Sequence, residues 1–306
     1  MSQLIKIGET KGHAGPIYSI TRGKSSESIF TCSGDRFVAE WSIPQMEVLP
    51  FSVKLENPAF KVLHDSEQGL LLLGNSIGGI HVIDLKQGKE LRLLQAHEKG
   101  VFSFLLLREG ETGAQQLLSG GGGGRLNLWS YPEMELLRSI PLHPSKIRCI
   151  ELLDDGNVFI GQSNGMASVL DPIYFNTKAE WKAHEGGVFC LLHHPNKPLI
   201  ITGGKDGHLR LWHKNTFEEV LAIPAHNFGI YDLQVINKTY LVSASRDKTL
   251  ALWDLKSMDV LHRVSRPKVN MHTHSINCLF WDEESQVLIS AGDDRRIIFW
   301  AIDENA

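Results

Sequence analysis

Histidine, a hydroxyl residue and aspartate recur together four times in this 306-residue chain: His13, Thr31 and Asp35; His184, Thr202 and Asp206; His226, Ser243 and Asp247; His272, Ser290 and Asp294. A nucleophilic hydrolase uses these residue types: histidine takes the hydroxyl proton and the carboxylate orients the ring. Such a centre is one constellation at one exposed site, so recurrence at a constant spacing argues for a structural use instead. The run Gly120 to Gly124 resembles a phosphate cradle. A P-loop, however, continues in Lys and Ser or Thr, and a dinucleotide fingerprint opens a helix. Here Arg125-Leu126-Asn127-Leu128-Trp129 reads as a strand, so the glycines read as a hairpin turn that supplies positive φ and replaces an aspartate. His193-His194 and His272-Thr273-His274 could ligate zinc, but strand neighbours point to opposite faces and no Cys or carboxylate cluster stands at ligand spacing. No metal and no cofactor are expected.

The elements that carry these residues repeat. Taking each unit at its Trp or the equivalent residue, the ends are Trp41, Ile83, Trp129, Leu170, Trp212, Trp253 and Trp300, at steps of 42, 46, 41, 42, 41 and 47. Self-similarity at such a period marks a repeat architecture. Each unit reads as a His, an apolar residue four later, two alternating strands, a small polar turn and a strand closing on Trp, in full at His226, Ile230, Ser243, Asp247 and Trp253.

On these motifs the whole chain resembles the WD-repeat family. The resemblance implies an all-β fold, a seven-bladed β-propeller of four-stranded antiparallel blades. Blades are expected at about 12–49, 54–95, 96–141, 142–182, 183–224, 225–265 and 271–302, the last completed by strand 3–8. That closure removes an open sheet edge. The resemblance also implies a hydrogen-bonded relay in each of four blades: His13, Thr31, Asp35 and Trp41; His184, Thr202, Asp206 and Trp212; His226, Ser243, Asp247 and Trp253; His272, Ser290, Asp294 and Trp300. The third unit keeps His97, Ser119 and Trp129 but has Gly123 for the Asp, the fourth keeps His143 but has Ile160, Asn164 and Leu170, and the second has Leu73, Ile77 and Ile83 and no His, so these three are expected to rely on packing alone.

Composition fits an ordinary globular chain, 42% hydrophobic and 22% charged. A formal net charge of −4 gives no global attraction to nucleic acid or anionic lipid, so a polynucleotide would need a local basic patch. The N-terminal residues lack a secretory pattern and no apolar run approaches a bilayer span. Cys149, Cys190 and Cys278 share one repeat position and read as small buried thiols, which makes the cytoplasm the expected compartment.

In WD-repeat proteins partners frequently contact positions flanking the first apolar residue of the inner strand and preceding the turn Asp. Carried over, the first set is Tyr18, Lys61, Phe102, Arg148, Phe189, Tyr231 and Asn277, and the second adds Lys205 and Arg246, with Lys146 beside them. Aromatic and Arg side chains at a channel mouth match the composition of binding hot spots. The basic arc suits an acidic or phosphorylated peptide, and packing and solvation of a rim are the competing explanation. Asp232 stands out because Ser19, Val62, Ser103, Cys149, Cys190 and Cys278 hold its position in the other units; it is a functional candidate or a carboxylate held by backbone N–H donors. The expected function is a non-catalytic protein-interaction scaffold, a monomeric propeller within a larger complex. The alternative is a propeller enzyme with a channel-mouth active site, for which this reading finds only Asn277 and Asp232 as convergent polar groups.

Overall fold

The computed structural model describes residues 2–107, 115–264 and 271–304. Twenty-eight strands form seven four-stranded antiparallel sheets. Six sheets use consecutive strands, with inner strands Ile17–Arg22, Ala59–Asp65, Val101–Leu107, Ile147–Leu152, Val188–His193 and Ile230–Ile236. The seventh runs in the order Gln3–Lys11, Arg296–Asp303, Val287–Gly292, Ile276–Asp282, so the N-terminal strand completes the last blade. Its pairing runs from Gln3 opposite Asp303 to Lys11 opposite Arg296, three residues beyond the expected end at Gly8, across an irregularity between Lys6 and Gly8. No helix of the described residues is long and apolar enough to cross a membrane.

The second strand of each blade is buried on both faces because neighbouring blades cover both. Ser28–Ser33, Leu70–Asn75, Tyr240–Ser245 and Val287–Gly292 are buried throughout. The apolar clusters therefore span pairs of blades: Ile17, Ile29 and Trp41 of blade one pack with Cys278, Ile289 and Phe299 of blade seven. Leu4 of the closing strand is buried with Val242 and Leu252 of blade six and Leu288 of blade seven. Polar links tie the blades as well. Arg22 Nη1 donates to Asp282 at 2.5 Å between blades one and seven, and the Tyr131 hydroxyl donates to Asp65 at 3.0 Å between three and two.

The turn between second and third strands has one conformational demand. Arg36, Gly78, Gly124, Gly165, Gly207, Lys248 and Arg295 all have positive φ there, between 66° and 101°. The glycine run meets it at Gly124, and Gly123, at the aspartate position, does not need it. A Cβ on Gly124 would lie 2.1 Å from the His143 carbonyl oxygen, so both φ and space select glycine there. The longer connections expected near 108–116 and 265–270 fall mostly outside the described residues.

Candidate partner-binding site at the channel mouth

Each inner strand breaks register directly after its first residue. The shifts fall between Ile17 and Ser19, Ala59 and Lys61, Val101 and Ser103, Ile147 and Cys149, Val188 and Cys190, Ile230 and Asp232, and Ile276 and Cys278. The extra residue of each bulge is thus Tyr18, Phe60, Phe102, Arg148, Phe189, Tyr231 or Asn277. A bulge re-aims its side chain, and the fold repeats the device seven times to build a ring around the channel mouth. One expectation is corrected here. Ala59, not Phe60, is equivalent to Ile17, so Phe60 joins the ring and Lys61 sits one residue deeper, at the level of Ser19 and Asp232, where Val62 was expected.

The ring is continuous over six members. Tyr18 meets Phe60 edge-on at 5.2 Å, and Phe60 stacks on Phe102 at 5.3 Å and 11°. The Arg148 guanidinium lies 5.1 Å from the Phe102 ring and 5.0 Å from Phe189, which in turn contacts Tyr231 at 5.5 Å. Asn277 completes the circle by donating through Nδ2 to the Ile17 carbonyl at 2.9 Å and to Asp293 at 2.7 Å. Arg148 has no ion-pair partner among the described residues, and its Nε is buried without a hydrogen-bond acceptor. Desolvation pulls its pKa down from the ordinary value, yet a guanidinium stays charged at neutral pH. The aromatic sandwich compensates part of that desolvation through cation–π attraction.

Around this ring Lys146, Lys205 and Arg246 are exposed and form no ion pair among the described residues. The Lys146 ammonium lies 5.4 Å from the Phe102 ring. Arg246 lies 5.8 Å from the ring of Phe228, which is 56% exposed and adds an apolar group to the rim that sequence reasoning did not single out. The structure therefore gathers Phe102, Lys146, Arg148, Phe189, Lys205, Tyr231 and Arg246 on blades three to six. Tyr18 and Asn277 sit across the mouth.

Below the ring the channel is a cavity of about 750 Å³ lined by Lys61, Glu151, Asp232, Gln234 and the thiols of Cys149, Cys190 and Cys278. The convergent polar set is thus larger than Asn277 and Asp232. Asp232 is held as the plainer expectation had it, accepting the Leu233 and Leu279 N–H groups at 2.9 and 2.7 Å, the second from the next blade. Burial raises its pKa to about 6 against those two bonds and Lys61. Ser103 uses the same device, accepting the Ile150 N–H at 3.1 Å. Burial pushes the Cys32 and Cys149 thiols up to about 12, so neither supplies a thiolate near neutral pH. Among the described residues no group of three His, Cys, Asp or Glu side chains is placed to hold a metal. His194 instead spans to blade six, its Nε2 3.0 Å from the Leu255 carbonyl oxygen.

The four repeated sets lie inside their blades as relays. In blade five His184 Nδ1 is 2.9 Å from Asp206, Nε2 is 2.8 Å from Thr202, and Trp212 Nε1 donates to the same hydroxyl at 2.8 Å. The network assigns the proton to Nδ1: it donates to the carboxylate, the hydroxyl donates to Nε2, and its oxygen accepts the indole N–H. Blades one, six and seven repeat this through His13, Thr31, Asp35 and Trp41, through His226, Ser243, Asp247 and Trp253, and through His272, Ser290, Asp294 and Trp300. Burial alone would raise Asp206 and Asp247, but hydrogen bonds from the partner histidine and neighbouring N–H groups hold both far below the ordinary carboxylate range.

Blades two, three and four do not rely on packing alone, which corrects the expectation for all three. Asn75 takes the turn position, accepting N–H bonds from Ile77 and Gly79, while its Nδ2 lies 3.1 Å from His81, and His81 Nδ1 lies 2.6 Å from Glu90. In blade four Gln162 Nε2 donates to the His143 and Ser145 carbonyls, and His143 Nε2 is 3.0 Å from Glu180. Blade three keeps His97 to Ser119 at 2.8 Å and Trp129 to Ser119 at 2.9 Å without a carboxylate. Burial, assisted by Arg125, pushes His97 down to about 4.

With this geometry in place, comparison with known proteins finds a family model, the WD domain, G-beta repeat, at residues 175–213, 217–254 and 265–301. Those spans end on the closing strands of blades five to seven. The chain is similar to Protein ROOT INITIATION DEFECTIVE 3 of Arabidopsis thaliana, 23% identical over 241 residues, covering 73% of this chain and 53% of that protein. It is similar to WD repeat and SOCS box-containing protein 1 of Xenopus tropicalis, 32% identical over 108 residues, 35% of this chain and 25% of the relative. It is also similar to Echinoderm microtubule-associated protein-like 1 of Rattus norvegicus, 23% identical over 328 residues, 92% of this chain and 38% of the relative. The chain thus spans about half or less of the length of these curated relatives.

Proposed function

We propose, since the chain belongs to the WD-repeat family by its matched repeats and its seven-bladed ring, that it is a non-catalytic scaffold whose basic channel mouth binds an acidic or phosphorylated segment of a protein partner. Propellers of this family are generally protein-interaction scaffolds and are typically non-enzymatic. The observation that carries the finer reading is Arg148. Its guanidinium is held between Phe102 and Phe189 at the mouth, with no carboxylate of the described residues paired to it. A desolvated cation gains most from an anion that can form two parallel N–H to oxygen bonds, which carboxylate and phosphate both offer. Lys146, Lys205 and Arg246 would then draw the same segment by longer-range attraction, and exposed Phe228 would take an apolar residue.

The test is a peptide array of acidic and phosphoserine-containing sequences, followed by fluorescence anisotropy on the tightest binder. Charge reversal by Arg148→Glu with Arg246→Glu should abolish the signal while the melting curve holds. Unchanged affinity in a folded double variant would remove the mouth from consideration. A steep salt dependence with polynucleotides in place of peptides would favour nucleic acid instead.

A further inference from the structure

The far end of the channel carries a second, oppositely charged feature. Glu151, four residues after Ile147 on the inner strand of blade four, faces the cavity beneath the ring and also a second cavity of about 820 Å³ that opens on the other face of the disc. The two cavities share Glu151, Leu191, Asp232 and Gln234, so they meet at the carboxyl groups. Glu151 has no hydrogen-bond donor and no ion-pair partner among the described residues. Asp232 accepts two backbone N–H groups, one on each oxygen, which leaves acceptor capacity on both.

The charges at this level do not balance. Lys61 projects from blade two at the level of Asp232 and is the one cation that acts on both carboxyls. Two carboxyls and one ammonium therefore line the channel where the two cavities meet. Burial raises Glu151 to about 7, partly offset by Lys61 and reinforced by Asp232. At the outer rim the lining adds one lysine, Lys238, one glutamate, Glu283, and His193.

We propose that this lower channel is a binding site for one organic cation head, a primary ammonium or a guanidinium, held between Glu151 and Asp232 and entering from the face opposite the arginine-bearing mouth. The head supplies the missing positive charge and gives Glu151 the donors it lacks, and the surrounding Leu191, Leu192, Leu233 and Val235 cover the methylenes behind it. This site is independent of the rim reading and involves none of the rim residues.

Isothermal titration calorimetry of the intact chain with cadaverine, N-methylguanidinium and Nα-acetyl-lysine amide, at pH 7 in two buffers of different ionisation enthalpy, tests it. Saturable one-to-one binding of at least one probe is expected. Because Glu151 titrates near neutrality, binding should release about half a proton per site at pH 7 and so show a buffer-dependent enthalpy. Glu151→Gln, which removes an unpaired carboxyl and should leave the melting midpoint at or above wild type, should weaken binding at least about tenfold and abolish the proton release. Tetramethylammonium, which has no N–H, should not compete. Preference for the lysine amide over cadaverine would assign the head to a protein side chain and the reverse preference to a free amine, both within the proposal. No saturable binding by any probe, or equal affinity in a folded Glu151→Gln, would overturn it, and neither result bears on the peptide array at the other mouth.

Discussion

Blades five to seven and blades two to four form the same four-stranded sheet around the same channel, yet their polar residues differ in kind. The first group carries complete relays, His184 to Trp212, His226 to Trp253 and His272 to Trp300, and the family model recognises them. The second group has replaced the relay with Asn75 and His81 in blade two, a truncated His97 and Ser119 pair in blade three, and Gln162 in blade four. That second group also supplies Phe60, Lys61, Phe102, Arg148 and Glu151 to the channel. The relay is one way to satisfy buried donors, and a blade that satisfies them otherwise keeps its fold. The division lies in the polar interiors: the regular blades use one repeated relay, whereas the irregular ones combine substitute networks with Arg148, on which the proposed recognition centres, its ring neighbours Phe189 and Tyr231 coming from regular blades.

The strongest challenge to that division is removal of the closing strand, which belongs to the regular side. Deleting residues 1–8 strips Leu4 from its buried cluster and unpairs part of the strand Arg296–Asp303. We expect a loss of at least about 3 kcal/mol in a denaturant titration, and an unaltered melting midpoint would refute ring closure as a source of stability. Next in size is Ser243→Ala, which leaves both His226 Nε2 and Trp253 Nε1 buried without partners. Each orphaned group costs about 1–3 kcal/mol, so a midpoint shift below the equivalent of 1 kcal/mol would show that the relay is dispensable.

Acid titration sharpens the contrast. The folded pKa of His97, about 4, lies below the ordinary histidine value of 6.5, so protonation favours the unfolded chain. Stability should fall as pH drops from 6.5 to 4, by roughly 3 kcal/mol in the limit, and His97→Gln should flatten that slope. Asp247 acts over a lower range: its folded pKa is depressed, so its contribution is full above the unfolded value near 4 and is lost as pH falls further. The gap between wild type and Asp247→Asn should therefore be constant from pH 5 to 7 and close below 4. Smallest is Gly123→Asp, which restores the relay carboxylate in blade three. A Cβ at Gly123 meets nothing closer than Glu98 at 3.7 Å, and the new carboxylate should stabilise the chain by about 1 kcal/mol while raising the His97 pKa, read by proton NMR.

Much of this was legible from spacing. The seven units, the closing strand and the four relays follow from residues whose burial admits few alternatives: an indole N–H needs an acceptor, and the turn needs a short carboxylate. Blade two was misread by one residue because Ala59 and Phe60 are both apolar and no histidine precedes them in the usual place. Pro58-Ala59 matches Pro16-Ile17 and would have set the register. Glu151 is not marked by the repeat pattern, although its position holds Thr21, Leu63, Leu105, Leu192, Gln234 and Phe280 in the other units, because it lies three positions beyond the bulge residue. The substitute networks of blades two and four were illegible for a different reason. They use Asn75, His81, Glu90, Gln162 and Glu180, whose residue types are not repeated from blade to blade, and only the folded chain brings them together.

The central claim, that a sandwiched and unpaired arginine on an irregular blade is the recognition element, is tested most directly by Arg148→Met. Its affinity for the tightest array peptide is measured by anisotropy alongside its denaturation midpoint. The account predicts affinity at least about tenfold weaker with the midpoint unchanged or raised, since a desolvated cation without a partner stabilises nothing in the free protein. Wild-type affinity in the folded variant, or a collapse of stability comparable to Ser243→Ala, would contradict it.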